Sequence, residues 1–269
     1  MNGTGSAHLS CPLCGATRVH AVSRGASWSI FACRVCTNAW TEPPPAVVDY
    51  AEHDFHACVQ PSTSADAPKS LHDLHPLWRR SALMQADLLT RSLQPEARIL
   101  EIGCGEGLLL GELAHRGFRV TGVEPSTTAS EIARQNGLQV LTGYFPQIKP
   151  PGLFDTVIMS HVLEHLPQPL EILRAVQSIA PAGRVLFVQT NWKGLVPRVY
   201  RRHWYAWVPA EHYWHFTPRG LSRIYQPFDW RTIALEYSSL IHNENIVTYL
   251  ASLIPAWLDQ FHLLTALPA

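Results

Sequence analysis

The sequence lacks a net charge, because 21 lysine and arginine residues balance 21 aspartate and glutamate residues in a chain of 269 residues. Charged side chains are also few, at 16% of the total. Such a chain has no overall electrostatic field that would attract the phosphate backbone of a nucleic acid. The composition therefore argues against a nucleic-acid partner and favours a small or neutral substrate, whose recognition must lie in local sites.

An unbroken apolar run long enough to cross a membrane is also lacking. Residues 1–10 are polar and glycine-rich, so they predict neither a signal peptide nor a membrane anchor. The apolar tail from Ile246 to Leu264 is interrupted by Pro255. Its pattern favours a terminal helical pair that closes the core, or a dimer face, over contact with a membrane surface. We therefore expect a cytoplasmic protein without a transmembrane segment.

Cysteine is scarce, with six residues, but four of them form two Cys-x-x-Cys pairs. Cys11 and Cys14 form the first pair, and Cys33 and Cys36 form the second, a spacing typical of a four-cysteine zinc ribbon. In a chain that is not exported, such pairs predict metal binding rather than disulfides. Four thiolates fill the tetrahedral sphere of Zn²⁺, so the ion is predicted to be structural. We expect a small β zinc-ribbon module over residues 1–42.

The rest of the chain divides into a proline-rich linker, residues 43–75, and a main domain, residues 76–269, in which helix and strand patterns alternate. The predicted strands are Arg98–Ile102, Arg119–Val123, Leu138–Leu141, Phe154–Met159, Arg184–Thr190 and Trp230–Ser238. The predicted helices are Leu77–Leu93, Gly107–Arg116, Thr127–Asn136, Leu170–Ala180 and Thr217–Tyr225. This alternation predicts an α/β fold with a Rossmann-like, mostly parallel sheet flanked by helices. Residues 191–216 are crowded with aromatic side chains and break the pattern, which predicts an inserted lid.

A glycine-rich segment follows the first predicted strand of this domain. The strand runs into Glu101-Ile102-Gly103-Cys104-Gly105-Glu106-Gly107, where glycine allows a sharp turn and close approach of a ligand. A dinucleotide site prefers Gly-x-Gly-x-x-Gly with pyrophosphate at the helix N-terminus. Here the third glycine comes one residue early and Glu101 ends the strand. This spacing and the acid favour a ligand that lacks phosphate but carries an amino group and a sulfonium charge. Glu124 ends the next strand, where a carboxylate is able to accept hydrogen bonds from ribose hydroxyls.

These residues, together with Val123-Glu124-Pro125 and the segment from Phe154 through Leu163-Glu164-His165, resemble class I S-adenosylmethionine-dependent methyltransferases. The resemblance is to the group that includes ubiquinone-type O-methyltransferases and sugar methyltransferases, and it covers about Leu77 to Ser238. It implies that S-adenosylmethionine is the cofactor and that Glu124 holds its ribose. The other cofactor contacts that it implies are Glu101, Gly103, Gly105, Gly107, Tyr144, Phe145 and His161.

Histidines supply the candidates for a general base, because methylation of a hydroxyl or an acidic carbon requires proton removal as well as alignment. His161 and His165 follow the fourth strand of the domain, whose carboxyl end should line the ligand crevice. Glu211 and His212, in the lid, resemble a pair that some sugar C-methyltransferases use, with histidine as base and glutamate as its orienter. In ubiquinone-type enzymes the stretch around His161 is able to hold a divalent cation. His161 stands where an acid would be expected, so we expect no catalytic metal.

The sequence therefore predicts transfer of a methyl group to an oxygen or carbon of a small molecule such as a sugar, a phenol or a natural-product intermediate. Ser160-His161 stands where an Asn-Pro-Pro-Tyr motif would indicate methylation of the exocyclic amine of a base. Two alternatives stay open: an RNA methyltransferase, and a non-catalytic cofactor-binding protein that binds a partner. A homodimer or a protein partner, bound through the ribbon or the C-terminal tail, also stays open.

Overall fold

The computed structural model of the chain describes residues 9–51, 70–73, 76–238 and 260–266, and it contains a small sheet and a large one. The small sheet begins with β1 (Val19–Arg24), β2 (Ser29–Cys33) and β3 (Ala39–Glu42), which are antiparallel neighbours. β1 and β2 form a hairpin between the two cysteine pairs, which agrees with the predicted β module. Cys33 ends β2 and Cys36 precedes β3. The pairing of these strands therefore fixes the positions of the two cysteines.

The large sheet and its helices occupy the rest of the described chain. In chain order the elements are α1 (Pro76–Ser92), β4 (Arg98–Ile102), α2 (Leu108–His115), β5 (Arg119–Glu124), α3 (Thr127–Gln135), β6 (Val140–Thr142), β7 (Thr156–Ser160), α4 (Pro169–Ile179), β8 (Arg184–Thr190), α5 (Leu195–Tyr200), β9 (Trp214–His215), α6 (Pro218–Tyr225), β10 (Arg231–Ser238) and β11 (Gln260–Ala266). No helix among these described residues has the length and hydrophobicity that crossing a membrane requires.

The large sheet has the strand order β10-β11-β8-β7-β4-β5-β6, and the strands from β8 to β6 are parallel. This confirms the predicted Rossmann-like, mostly parallel sheet. The chain passes from β4 outwards to β5 and β6 and then returns to β7 on the other side of β4. Ligands of open α/β sheets bind beyond the carboxyl ends of the strands at such a switch point. The fold thus predicts a ligand site at the segments after β4 and β7.

The C-terminal tail differs from its prediction. Gln260–Ala266 is not part of a helical pair but forms β11, antiparallel to both β8 and β10, with Gln260 opposite Thr190. All side chains from Gln260 to Thr265 are buried. A strand buried on both faces is apolar along its whole length, so its pattern cannot be distinguished from that of a buried helix. Residues 246–259 of the tail lie outside the described residues.

The aromatic insertion contains little regular structure: α5, a short 3₁₀ helix and the two-residue strand β9. β9 pairs with β3, so the insertion completes the small sheet of the cysteine module. Trp192, Trp204 and Trp207 of the insertion pack with Ile30 and Ala39 of that sheet in one apolar cluster. The cysteine module and the insertion therefore share a core.

Candidate active site

The glycine-rich loop, residues 101–107, connects β4 to α2 at the switch point. Gly103 and Gly107 have positive φ angles of 70° and 77°, which residues with a Cβ rarely adopt. A Cβ on Gly103 would lie 2.6 Å from Cγ2 of Val162, and one on Gly107 would lie 2.5 Å from Cδ1 of Leu138. Both glycines are therefore required by the packing of the loop. The contact at Val162 also places the loop against the segment that follows β7.

Glu101 brings a buried carboxyl group to the start of this loop. The residue is 4% exposed, and its Oε2 has no hydrogen-bond partner among the described residues. Burial, with a smaller contribution from the negative charge of Glu124, raises the pKa of Glu101 to about 8. A buried carboxyl without a partner is unfavourable until a ligand donates to it or brings a positive charge. Glu101 thus fits a cofactor with an amino group and a sulfonium.

Glu124, at the end of β5, holds the glycine-rich loop in place. Its Oε2 accepts a hydrogen bond of 2.8 Å from the Gly105 N–H, and its Oε1 accepts one of 2.8 Å from the Ser126 N–H. Each carboxylate oxygen has two lone pairs, so one backbone N–H does not by itself saturate either oxygen. The position is compatible with the predicted contact to ribose hydroxyls.

The predicted adenine contacts lie just after β6. Phe145 is buried in the core cluster between the large sheet and its helices, whereas Tyr144 is 38% exposed. The Tyr144 hydroxyl donates to Oδ1 of Asp49 at 2.8 Å and accepts from the Ala51 N–H at 3.2 Å. Residues 49–51, which we call the strap, belong to the predicted linker and cross this part of the site.

His161 follows β7 with both ring nitrogens occupied. Its Nδ1 lies 3.2 Å from Oε1 of Glu164, and its Nε2 is hydrogen-bonded to the side-chain amide of Gln260. Because Oε1 of Gln260 accepts from the Ser81 hydroxyl at 2.9 Å, its amide nitrogen donates to His161. Nδ1 of His161 therefore carries a proton that it donates to Glu164. This arrangement favours a structural role for His161 over proton abstraction.

His165 lies between Tyr50, Glu211 and His212, and we call these residues together with Glu164 the histidine cluster. The Tyr50 hydroxyl of the strap is 2.7 Å from its Nδ1, and the two rings meet edge to face. Oε2 of Glu211 is 4.0 Å from the same nitrogen. The ring of His165 also packs edge to face on that of His212, with centroids 4.6 Å apart. Burial lowers the pKa of His165 despite the nearby carboxylates.

His212 presents one nitrogen towards this cluster. It is 8% exposed, and its Nδ1 lies 3.2 Å from the carbonyl oxygen of Ala206, which requires the proton on Nδ1. Its Nε2 makes no hydrogen bond with the described residues, so it is free to accept a proton. Burial, reinforced by the neighbouring His165, lowers the pKa of His212 to about 3. The ring is therefore neutral at physiological pH.

Glu164 is the buried acid of the cluster. Burial raises its pKa, but the hydrogen bond from His161 and the charges of His161, His165 and His212 outweigh burial and hold the pKa of Glu164 at about 2. Its second oxygen, Oε2, has no partner among the described residues. Ligand atoms of Glu164, His165 and His212 lie within 4.8 Å of one another, close enough for a cation to bridge them. The unpartnered Oε2 of Glu164 is equally able to accept a hydrogen bond from a ligand hydroxyl.

The cysteines of the small sheet converge as the spacing predicts. Sγ of Cys11 lies 3.6 Å from that of Cys36, and Sγ of Cys14 lies 3.6 Å from that of Cys33. Zinc–sulfur bonds of about 2.3 Å in a tetrahedron place the sulfurs about 3.8 Å apart. The backbone N–H groups of Val35 and Cys36 also point at Sγ of Cys33. The four thiols thus fit a zinc ion.

Tyr50 and Gln260 contact the candidate histidines but were not predicted. Tyr50 lies in a stretch interpreted as linker, and Gln260 lies in a tail interpreted as helical. A long-range contact leaves no periodic trace in a sequence. The one available indication was that Gln260 and His262 are polar side chains within an apolar run, and buried polar groups need partners.

The fold and the site together define a class I methyltransferase: a Rossmann-like sheet, a glycine-rich loop after its first strand and an acid after its second. A family model described as a methyltransferase domain matches residues 73–235. This is more than half of the chain, and the chain therefore belongs to that methyltransferase family.

Relatives of known description agree with this assignment. The chain is 34% identical over 145 residues to a ubiquinone biosynthesis O-methyltransferase of Xanthomonas campestris pv. campestris (strain B100), which covers 51% of this chain and 58% of that protein. It is 32% identical over 193 residues to the protein of the same description from Xanthomonas oryzae pv. oryzae (strain PXO99A), covering 68% of this chain and 76% of the relative. The chain thus spans little more than half the length of the first relative.

Solved structures share the fold. The magnesium protoporphyrin IX methyltransferase of Synechocystis PCC 6803 with bound SAH superimposes with a TM-score of 0.54 at 16% identity, covering 72% of this chain and 89% of that one. The plantazolicin methyltransferase BpumL, in complex with a pentazolic desmethylPZN analog and SAH, gives a TM-score of 0.50 at 16% identity, with 70% and 85% coverage. At these identities the likeness concerns the fold.

Proposed function

We propose that this protein transfers a methyl group from S-adenosylmethionine to an oxygen or carbon of a small-molecule acceptor, such as a sugar, a phenol or a natural-product intermediate. His212 is the general base. The observation that carries the proposal is the arrangement of His212: its Nδ1 is fixed on a backbone carbonyl, while its Nε2 makes no hydrogen bond with the described residues. The descriptions of the relatives favour oxygen as the acceptor atom.

On the cofactor side, the proposal assigns a role to each residue that follows β4 and β5. When bound, S-adenosylmethionine supplies a methyl group on a positively charged sulfur. Glu101 binds the positive charge, Gly103, Gly105 and Gly107 leave room for the methionine part, and Glu124 accepts from the ribose. Tyr144 and Phe145 remain the proposed adenine contacts. Positioning of this kind supplies much of the rate enhancement for an in-line displacement.

On the acceptor side, the proposal assigns a different role to each histidine. Nε2 of His212 takes the proton of the acceptor, and burial of the site excludes water. Glu211 was expected to orient His212, but its Oε2 lies 4.0 Å from Nδ1 of His165. In the proposal, Glu211 and the Tyr50 hydroxyl therefore orient His165, whose ring packs against that of His212. His161 is held by Gln260 and Glu164 and therefore positions Glu164 rather than reacting. A positioned general base contributes about 10²- to 10⁴-fold to the rate. Burial lowers the pKa of His212, but the charge of Glu164 acts in the opposite direction and favours the protonated ring that this step forms.

We also propose that Cys11, Cys14, Cys33 and Cys36 hold a structural zinc ion. The geometry of the sulfurs supports it, and four thiolate ligands leave no coordination position for a substrate. Reduced thiols of this kind need a reducing compartment such as the cytoplasm. One zinc ion for each chain, measured by atomic emission on the purified protein, is the expected stoichiometry.

The test is methyl transfer from labelled S-adenosylmethionine to fractionated cell extract. We expect label in a small-molecule fraction. The variant His212→Gln should lower this transfer by about 10²- to 10⁴-fold, while SAH binding measured by calorimetry stays unchanged. His115→Gln changes an exposed histidine at the end of α2 and serves as the matched control.

Three outcomes would contradict parts of the proposal. Label found only in RNA would show that the substrate class is wrong. Near-native transfer by His212→Gln would remove His212 as the base. Tight SAH binding without transfer to any fraction would indicate a non-catalytic cofactor-binding protein.

A further inference from the structure

The segment that carries His212 is joined to the cysteine module by a strand pair. β9 begins two residues after His212 and is antiparallel to β3, with Ala39 opposite His215 and Trp40 opposite Trp214. The Thr41 N–H also donates to the carbonyl oxygen of Tyr213 at 3.1 Å. Tyr213 and the two residues that follow it are therefore joined to the small sheet.

Thr41, in β3, contacts His212 directly. Its hydroxyl donates to the carbonyl oxygen of His212 at 2.7 Å and lies 3.2 Å from Nε2 of His215. Both contacts are buried, and Thr41 itself is 2% exposed. With its proton donated to His212, the hydroxyl accepts from Nε2–H of His215. One side chain of the cysteine module thus fixes the backbone of His212 and the ring of His215.

Further contacts join the loop between Cys36 and β3 to the rest of the methyltransferase fold. The Asn38 side-chain amide donates to the carbonyl oxygen of Gly220 at 3.0 Å, and the hydroxyls of Thr37 and Thr217 are 2.8 Å apart. The Trp192 indole donates to the carbonyl oxygen of Thr37 at 3.2 Å. The cysteine module is therefore packed against the domain and not attached only through a linker.

The opposite side of the His212 segment rests on the turn that follows β7. The Tyr213 N–H donates to the carbonyl oxygen of Glu164 at 2.8 Å, and the Trp214 indole donates to that of Leu166 at 2.8 Å. Residues 211–216, which we call the base segment, are thus held between the β7 turn and β3. Loss of either side would free the base segment to move.

We propose that the cysteine module forms one wall of the acceptor site in the same chain, and that its metal sets the position of His212 through β3 and Thr41. The proposal rests on the role assigned to His212 and on the proposed zinc. A four-cysteine module of this size folds only when its metal is bound. Cys33 ends β2 and Cys36 lies just before β3, so without metal β3 loses the constraint that aligns it with β9.

Hydrogen–deuterium exchange on the full chain tests this coupling without knowledge of the acceptor. The protein is compared as purified, after removal of zinc with a chelator, and after addition of Zn²⁺ alone. Removal should accelerate exchange of peptides that cover the base segment by at least about tenfold, because their hydrogen bonds to β3 open locally. Peptides covering residues 98–124 should stay protected, and SAH affinity should change by less than about threefold. Zn²⁺ should restore protection.

Thr41→Val and Thr41→Ser separate the specific contact from general unfolding of the module. Valine keeps the shape but leaves the buried carbonyl of His212 without its donor, whereas serine keeps the hydroxyl. We expect exchange of the base segment to be about tenfold faster in Thr41→Val and within about twofold of the parent in Thr41→Ser. Both variants should retain one zinc ion for each chain.

An unchanged base segment after zinc removal, or in Thr41→Val, would overturn the proposal. So would a zinc-free protein that keeps its base segment and loses only binding to RNA in a filter assay, because the module would then serve to grip RNA. Failure of the proposed function is observed in a different measurement, since the metal-loaded protein would then transfer label only to RNA or to no fraction, whatever the exchange rate of the base segment. The two failures are therefore distinguishable.

Discussion

Glu101, the penultimate residue of β4, has a buried carboxyl group whose Oε2 lacks a hydrogen-bond partner among the described residues. Its pKa, raised to about 8 by burial and by the charge of Glu124, keeps it largely protonated at pH 7. A positively charged ligand would favour the ionised form and release the proton. If Glu101 contacts the cofactor as proposed, cofactor binding is linked to proton release.

We predict that S-adenosylmethionine binding at pH 7 releases up to about one proton, as calorimetry in buffers of different ionisation enthalpy would show. Glu101→Gln should abolish the release and weaken binding by about tenfold to a hundredfold, since a hydrogen bond to a charged group is lost. Glu131→Gln, an exposed change on α3, should leave both unchanged. Release that persists in Glu101→Gln would assign the proton to another group.

Tyr50 is the residue by which the strap reaches the histidine cluster. Its hydroxyl is 2.7 Å from Nδ1 of His165, at a half-buried position. Tyr50→Phe should lower the free energy of unfolding by about 1 kcal/mol, because one hydrogen bond is lost and a ring nitrogen is left without a partner. Urea denaturation would measure this. Tyr237→Phe, at an exposed position of β10, should change the free energy by less than about 0.5 kcal/mol. Equal effects of the two changes would contradict the contact.

At the scale of elements, β11 is a strand whose side chains from Gln260 to Thr265 are all buried, so we expect it to contribute strongly to the free energy of unfolding. Leu263 and Leu264 point to opposite faces of the sheet, and both are buried, at 1% and 0% exposure. Leu263→Ala and Leu264→Ala should each lower the free energy of unfolding by about 2–5 kcal/mol, measured by chemical denaturation. Leu235→Ala on the neighbouring β10, where the side chain is 39% exposed, should cost less than half as much. A large effect of only one of the first two changes would indicate a one-sided helix or interface.

The elements differ in how far the sequence could predict them. β4 and β8 have the predicted bounds, and the capped start of α6 at Thr217 is also as predicted, since strand runs and caps are local patterns. β9 has two residues and no period, so it was not predictable. β11 and the strap were misinterpreted because their roles depend on long-range partners: β8 and β10 for the strand, and His165 for Tyr50.

The candidate site divides in the same way. The glycine-rich loop and Glu124 follow local rules of strand, turn and helix, and the sequence alone located them. The choice among His161, His165 and His212 depends on which ring nitrogens are already hydrogen-bonded. That information lies in Gln260, Tyr50 and Ala206. Gln260 and Tyr50 are distant in the sequence, and Ala206 contributes only its backbone carbonyl. A sequence motif therefore could not have predicted these partners.

At the scale of the whole molecule, buried histidines should make stability depend on pH. Burial lowers the pKa of His262 to about 3 and that of His215 well below the usual 6.5. The unfolded chain therefore binds protons that the folded chain does not as the pH falls below about 6.5. Glu101 has the opposite sign: its raised pKa means that its stabilising contribution is lost as the pH rises from about 4.5 towards 8.

We predict that the melting temperature falls as the pH is lowered from 6.5 to 5, with each of these histidines contributing a slope of about 1.4 kcal/mol for each pH unit. His262→Asn should reduce this slope, whatever its effect on stability at pH 7. The measurement is thermal unfolding followed by circular dichroism across that range. His203→Asn, at an exposed position, should leave the slope unchanged, and a stability curve that is flat between pH 5 and 6.5 would contradict the burial of His215 and His262.

The position of β11 also constrains how the polypeptide folds during synthesis. Among the described strands of the large sheet, β10 pairs with β11 alone, and β11 separates it from β8. A nascent chain that has reached Ser238 therefore presents the open edge of β8 and an unpaired β10, and it stays in that state until residues 260–266 leave the ribosome. Open, apolar strand edges are sites of misassembly and chaperone capture. A chain that stops before Gln260 should thus accumulate in inclusion bodies rather than behave as a shortened enzyme.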